Sequence, residues 1–154
     1  MIDKVLSNHI GNKIVKTFSE IEFTENLISV KLKLKALANF KFSYLFSIGD
    51  CLLFKTSDIS GTNIEATRIS GKILSGIIPR QVTKENWGLN GLFRKFSLIK
   101  DDVILTFSTE DGIIYVSNGK WLTIVIFPNA KRYEWQMKNG EERTVSYTIK
   151  IEKI

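Results

Sequence analysis

The chain holds one cysteine, one histidine and two prolines in 154 residues. A lone Cys51 excludes an internal disulfide and fits a reducing compartment; in an apolar stretch it is expected to be a buried, inert thiol. With only His9 beside it, no standard zinc set can be assembled, so no metal is expected. No apolar run approaches the roughly 20 residues of a membrane-spanning helix. Asp3, Ser7, Asn8 and His9 stand where a secretion signal needs an apolar stretch, so a cytoplasmic location is expected. Frames for common chemistry are also missing. Gly71-Lys72 is followed by Ile73 rather than Ser or Thr, which is no phosphate loop, and Ser75-Gly76 lacks the Gly-x-Ser-x-Gly of a hydrolase elbow. Carboxylates such as Glu20, Glu22, Asp58, Glu65, Asp101 and Asp102 are scattered, and sequence distance pairs none of them as acid and base.

What is present describes an ordinary globular chain. An apolar fraction of 44% and a charged fraction of 25% suit a single domain over residues 1–154, long enough for a real core. The net charge of +6 permits an anionic ligand, an acidic partner or nucleic acid and selects none of them.

Period-two alternation dominates. From Ile28 to Phe46 the even positions are apolar, while Lys31, Lys33, Lys35 and Lys41 fall on odd ones. That run exceeds an ordinary strand, so two strands with a turn or bulge near Ala38-Asn39 are expected. Cys51–Lys55, Ile64–Leu74 and Phe93–Ile99 read as further strands, with Gly71 and Gly76 marking bends or bulges, a polar turn from Thr56 to Asn63 and another at Lys100-Asp101-Asp102. Toward the C-terminal end, roughly Val103 to Ile154, four hairpin-linked strands are expected. Asp111-Gly112, Asn118-Gly119 and Asn139-Gly140 suit type I′ turns, and Pro128-Asn129-Ala130 suits a slightly longer one. Trp121 to Phe127 is apolar on both faces and should be covered on both. Ile2, Val5, Leu6, His9 and Ile10, closed by Gly11, recur at helical spacing and predict a short N-terminal helix. Pro79 to Gly91 lacks alternation and reads as a loop or lid. Many short strands joined by turns point to an all-β fold, an antiparallel up-and-down barrel or, as the alternative, a β-sandwich.

Gly11, followed by Lys13 where a Gly-x-Trp signature would have Trp, and the layout of cap helix plus meander resemble the calycin (lipocalin and fatty-acid-binding) barrels. Phe107-Ser108-Thr109 before Asp111-Gly112, Lys131-Arg132-Tyr133, Lys138-Asn139-Gly140 and the ending Ile151-Glu152-Lys153-Ile154 resemble the S-type phycobiliprotein lyases. The resemblance implies a cavity for a hydrophobic anionic small molecule such as a bilin, with no required cofactor. If it implies an enzyme, that enzyme is a chromophore lyase acting with an acceptor protein. Arg132 would then pair with a propionate, Tyr133, Trp135 and Tyr147 would line the cavity, and Trp87 would close over the ligand from the lid.

Each of these residues also has a plainer role: Trp135 as core, Arg132 as a solvated charge, Trp87 as a loop anchor. Two other functions fit the composition. A toxin immunity protein needs no catalytic residues, although +6 argues against an inhibitor of a basic nuclease site. A single-strand nucleic-acid binder would use the lysine stripe, but period two sets those lysines opposite Phe40, Phe42 and Tyr44.

Overall fold

The computed structural model describes residues 2–7, 13–42, 50–81, 90–128 and 135–154. Its strands are β1 (Ile2–Ser7), β2 (Lys13–Phe23), β3 (Leu27–Ala36), β4 (Phe40–Phe42), β5 (Asp50–Lys55), β6 (Asn63–Arg68) and β7 (Ile73–Ile77). They continue as β8 (Gly91–Lys100), β9 (Val103–Thr109), β10 (Gly112–Asn118), β11 (Trp121–Pro128), β12 (Trp135–Met137) and β13 (Glu142–Lys153). Every ladder among them is antiparallel, so the all-β class read from the alternation holds. The main sheet is curled like half a barrel, in the order β1-β2-β3-β13-β9-β8-β10-β11-β5, with β6 on β8 and β7 on β6. Among the described residues no ladder joins the path's two ends, β1 and β5.

The alternation of β3 does what its sequence asks. Val30, Leu32, Leu34 and Ala36 are buried, while Lys31 and Lys35 stay in water. β11 is buried on both faces from Ile124 to Phe127, between β10 and β5 in its own sheet, as its two-sided apolar pattern requires. Phe93 and Phe96 meet edge to face with ring centroids 5.8 Å apart, and both are buried with Phe107 and Phe127. Each such side chain removed from water contributes about 1.5–3 kcal/mol.

The bend expected near Ala38-Asn39 is present, and it is shared. The register Lys35↔Glu142 in the β3–β13 ladder continues as Phe40↔Met137 in the β4–β12 ladder. Two neighbouring chains therefore bend together out of the main sheet. Ala36 N–H donates to the Glu141 carbonyl at 2.9 Å and Gly140 N–H to the Ala36 carbonyl at 3.0 Å. Asn139-Gly140 thus sits in a kink between two strands that continue side by side with their partners, rather than in a hairpin. Of these two residues, Gly140 takes a left-handed φ, of 83°, and Asn139 does not.

Five other expectations are corrected. The N-terminal helix does not form: Ile2–Ser7 is a strand paired with β2 from Ile2↔Ser19 onward. Six residues cannot offset helix nucleation, with its constant of about 10⁻³, whereas the edge of β2 offers backbone partners directly. His9 and Gly11 lie outside the described residues. Ile64–Leu74 is two strands rather than one, turning at Ile69-Ser70-Gly71 where Gly71 takes φ 84°. Asn118-Gly119 is no two-residue I′ turn, since Asn118 pairs with Leu122 inside the β10–β11 ladder. Cys51 is exposed, because β5 ends the sheet and its odd positions face outward.

Asp111-Gly112 is the most informative correction. Lys95 pairs with Ser108 and Phe93 with Ile114, so Arg94 alone spans residues 109–113 on the other side. β9 and β10 are one bent strand with a wide bulge between them, not a hairpin. The bulge moves the chain from β13, the partner of β9, to β11, the partner of β10. Arg94 Nη1 donates to the Glu110 carbonyl at 3.0 Å and also to the Gly112 carbonyl. Continuing the register past Tyr147↔Thr109 would set Ser146 opposite Glu110, but the backbone has already turned away there. Side chains substitute for it. Asp111 Oδ1 accepts the Ser146 N–H at 3.0 Å, and the Thr109 hydroxyl donates to the Ser146 carbonyl at 2.8 Å while accepting the Gly112 N–H at 2.9 Å. Gly112 has no space for a side chain: a Cβ there would lie 2.8 Å from Thr109 Oγ1 and 2.9 Å from the Phe127 carbonyl oxygen, and would run into Val145.

Replacing Gly112 with Ala is therefore expected to destabilise the fold by about 1–3 kcal/mol, as overpacking does. The reading is a lower urea midpoint with an unchanged denaturant slope.

A second expectation concerns acid. The Lys138 N–H and then the Arg143 guanidinium hold Glu141 below the usual carboxylate range. Lys33, at 2.8 Å, does the same for Glu142. Both carboxyls bind protons less readily folded than unfolded. Their contribution is therefore complete above the unfolded value of 4.5 and is lost as pH falls below it. Thermal midpoints measured from pH 6 to pH 3 should fall, and should fall less in a variant carrying Glu141→Gln and Glu142→Gln.

Candidate functional site

The face of β2, β3, β13 and β9 turned away from the core carries a hollow of about 810 Å³. Its lining follows from the ladders. Directly paired residues in an antiparallel sheet share a face, as do residues two apart on one strand. Glu22 pairs with Ser29, Ser29 with Thr148, and Thr148 with Ser108. Two residues along, Glu20 pairs with Lys31 and Lys31 with Ser146, beside the Glu110-Asp111 corner. Two parallel polar rows result, one mostly of hydroxyls and one flanked by charge. The Ser108 and Thr148 hydroxyls are 2.8 Å apart, which fixes one against the other.

The electrostatics of the hollow oppose those of the whole chain. Among the described residues Glu20, Glu22, Glu110 and Asp111 line it against Lys31 alone, although the chain carries +6 overall. Asp111 is held by the Ser146 N–H, so the corner that splits the sheet also builds one wall of the hollow. Hydroxyls and carboxylates in two rows can exchange hydrogen bonds with a ligand rich in hydroxyl groups. Among the described residues no three His, Cys, Asp or Glu side chains come together as a metal set.

The residues singled out from the sequence are not gathered here. Arg132, Tyr133 and Trp87, with residues 82–89 of the expected lid, lie outside the described residues. Trp135 is placed by its backbone in β12, opposite Phe42, beside a separate hollow of about 500 Å³ lined by Asn39, Phe40, Gln136, Met137, Lys138 and Glu141. Tyr147 borders the larger hollow but is 6% exposed, its alternate position in β13 directing it toward the core. The lysine stripe is divided. Lys33 and Lys35 reach Glu142 at 2.8 and 3.6 Å, Lys31 belongs to the hollow, and Lys41 lies in β4 opposite Gln136. Ser146 and Thr148 carry a sequence signal only as the polar positions alternating with Val145, Tyr147 and Ile149, and Ser108 only within Phe107-Ser108-Thr109. The outward Ser and Thr of β13 were the available signal, but their neighbours come from ladders between distant segments. No described helix is long and apolar enough to cross a membrane.

No family model matches the chain, and no curated protein does. Solved structures do. An aldose 1-epimerase-like protein from Escherichia coli K12 is 13% identical with a TM-score of 0.57, the match covering 97% of this chain and 64% of that one. A GH36 alpha-galactosidase from Geobacillus stearothermophilus, solved with raffinose, is 11% identical with a TM-score of 0.61, over 98% of this chain and 23% of that one. The alpha-galactosidase of Lactobacillus brevis is 9% identical with a TM-score of 0.55, over 90% of this chain and 21% of that one. This chain thus spans less than two thirds of the epimerase-like protein and about a quarter of the galactosidases. At these identities the likeness is one of fold alone: a curled antiparallel sheet.

Proposed function

We propose that the chain is a ligand-binding β module whose polar hollow takes a neutral or cationic carbohydrate. The observation that carries this reading is the pair of rows from Glu22 to Ser108 and from Glu20 to Ser146, a surface of fixed hydroxyls edged by carboxylates. Sugar hydroxyls both donate and accept. Carboxylates and serine or threonine hydroxyls placed at strand spacing match them in both senses. The fold likeness to proteins of sugar chemistry agrees with this reading and transfers no catalytic residue.

A binding role is common to this reading and to the calycin resemblance, and the ligand differs. A bilin is hydrophobic and brings two propionates, which would meet four carboxylates and one lysine in this hollow. Like charges at such range disfavour binding. The bilin version therefore depends on Arg132, Tyr133, Trp135 and Trp87 forming a separate site.

Titration of the isotopically labelled protein with raffinose, followed by amide shifts, tests the proposal. Saturable shifts are expected at Ser29, Ser108, Ser146 and Thr148. Ser29→Trp, which fills the hollow from a partly exposed position, should weaken binding by at least about tenfold, equivalent to about 1.4 kcal/mol. A parallel titration with phycocyanobilin should leave these amides unmoved. Raffinose, galactosamine and chitobiose all failing to shift them would reject the carbohydrate reading.

A further inference from the structure

One strand is left with an open edge that charge does not guard. Among the described residues β7 pairs with β6 alone. Its sequence, Ile73-Leu74-Ser75-Gly76-Ile77, has no charged residue and no proline, the usual means by which edge strands avoid pairing with another chain. Ile73 is 75% exposed and Ile77 63%, and both stand on the face away from the core.

The hydrogen-bonding direction of this edge follows from its flanks. Arg68 N–H donates to the Lys72 carbonyl and Ile78 N–H to the Thr62 carbonyl, both at 2.9 Å, in register with the β6–β7 ladder. Backbone groups alternate sides along a strand. Lys72, Leu74, Gly76 and Ile78 therefore direct their N–H and C=O toward β6, and Ile73, Ser75 and Ile77 direct theirs to the open side.

We propose that two copies of this chain pair their β7 strands antiparallel about a twofold axis through Ser75. The edge is self-complementary in that arrangement alone. Ser75 meets Ser75 of the second copy, and Ile73 meets Ile77, so every outward N–H and C=O finds its counterpart. On the core-side face Leu74 comes opposite Gly76, a large side chain against a missing one. Charge does not oppose the seam itself. Two copies with a net charge of +6 each repel over most of their surfaces, but this strand carries none, and Glu65 lies beside Ser75 in the adjacent strand. Closure about a twofold uses up the open side of β7 in both copies, so growth through this edge stops at two. A five-residue seam falls short of the roughly 1,200–2,000 Å² of a stable complex, so the association is reversible and concentration-dependent.

Sedimentation equilibrium over a concentration series tests this. The weight-average mass should rise from the 17.6 kDa of one chain toward twice that value. A variant with Ile73→Lys and Ile77→Lys should remain monomeric, as should one with Ile73→Glu and Ile77→Glu, each keeping the wild-type melting curve because both positions are exposed. Mixing the two variants should restore the dimer, now as a lysine-glutamate pair of chains. Wild-type protein that stays at 17.6 kDa at every concentration overturns the proposal. So does wild-type association that both charged variants retain, which would put the contact on another surface.

Discussion

Between Thr109 and Gly112 the backbone leaves one ladder for another, and side chains take up the hydrogen bonds it drops. Arg94 holds the carbonyls of Glu110 and Gly112, Asp111 takes the N–H of Ser146, and Thr109 serves both Ser146 and Gly112. Leaving such groups unpaired in a half-buried corner would cost about 1–3 kcal/mol each. With the exchange in place, β8 can run past both halves of a bent strand, and the sheet can divide between β13 and β11 without exposing its core. Gly112 is the steric condition for that exchange, since any side chain there would occupy the space of Val145 and Thr109.

The corner also ties architecture to surface chemistry. Glu110 and Asp111 reach the hollow because the bulge turns them outward, next to the hydroxyl rows of β13 and β3. Core packing on one side and a polar binding surface on the other therefore share a few residues. A change there would alter both together, whereas changes at the exposed Glu20 or Glu22 of β2 would touch the surface alone.

How far the sequence could be read follows from how local each signal is. The alternation of β3, the bend after Ala36 and the two apolar faces of β11 all show within one segment, and all appear in the structure. Ile2–Ser7 carries helical spacing in its own residues, and the edge of β2, a partner no local pattern announces, overrides it. Asp111-Gly112 looks the same in a hairpin and in a bulge; the difference lies in Arg94, on another strand. The hollow was hidden for the same reason. Lys31 and Ser146 are direct neighbours through a ladder joining distant segments, and no local pattern announces which strands will pair. Charge gave no guide either, since an acidic hollow sits on a basic chain.

The shared bend of β3–β4 and β12–β13 carries a consequence for how this chain can vary. Five steps separate Lys35 from Phe40, and five separate Glu142 from Met137, so both sides of the crossing are matched in length. Adding or removing one residue on either side would swap inner and outer faces for every position beyond it. Segments a hundred residues apart are thereby bound to lengthen or shorten in step, and descendants of this chain should show paired insertions there or none.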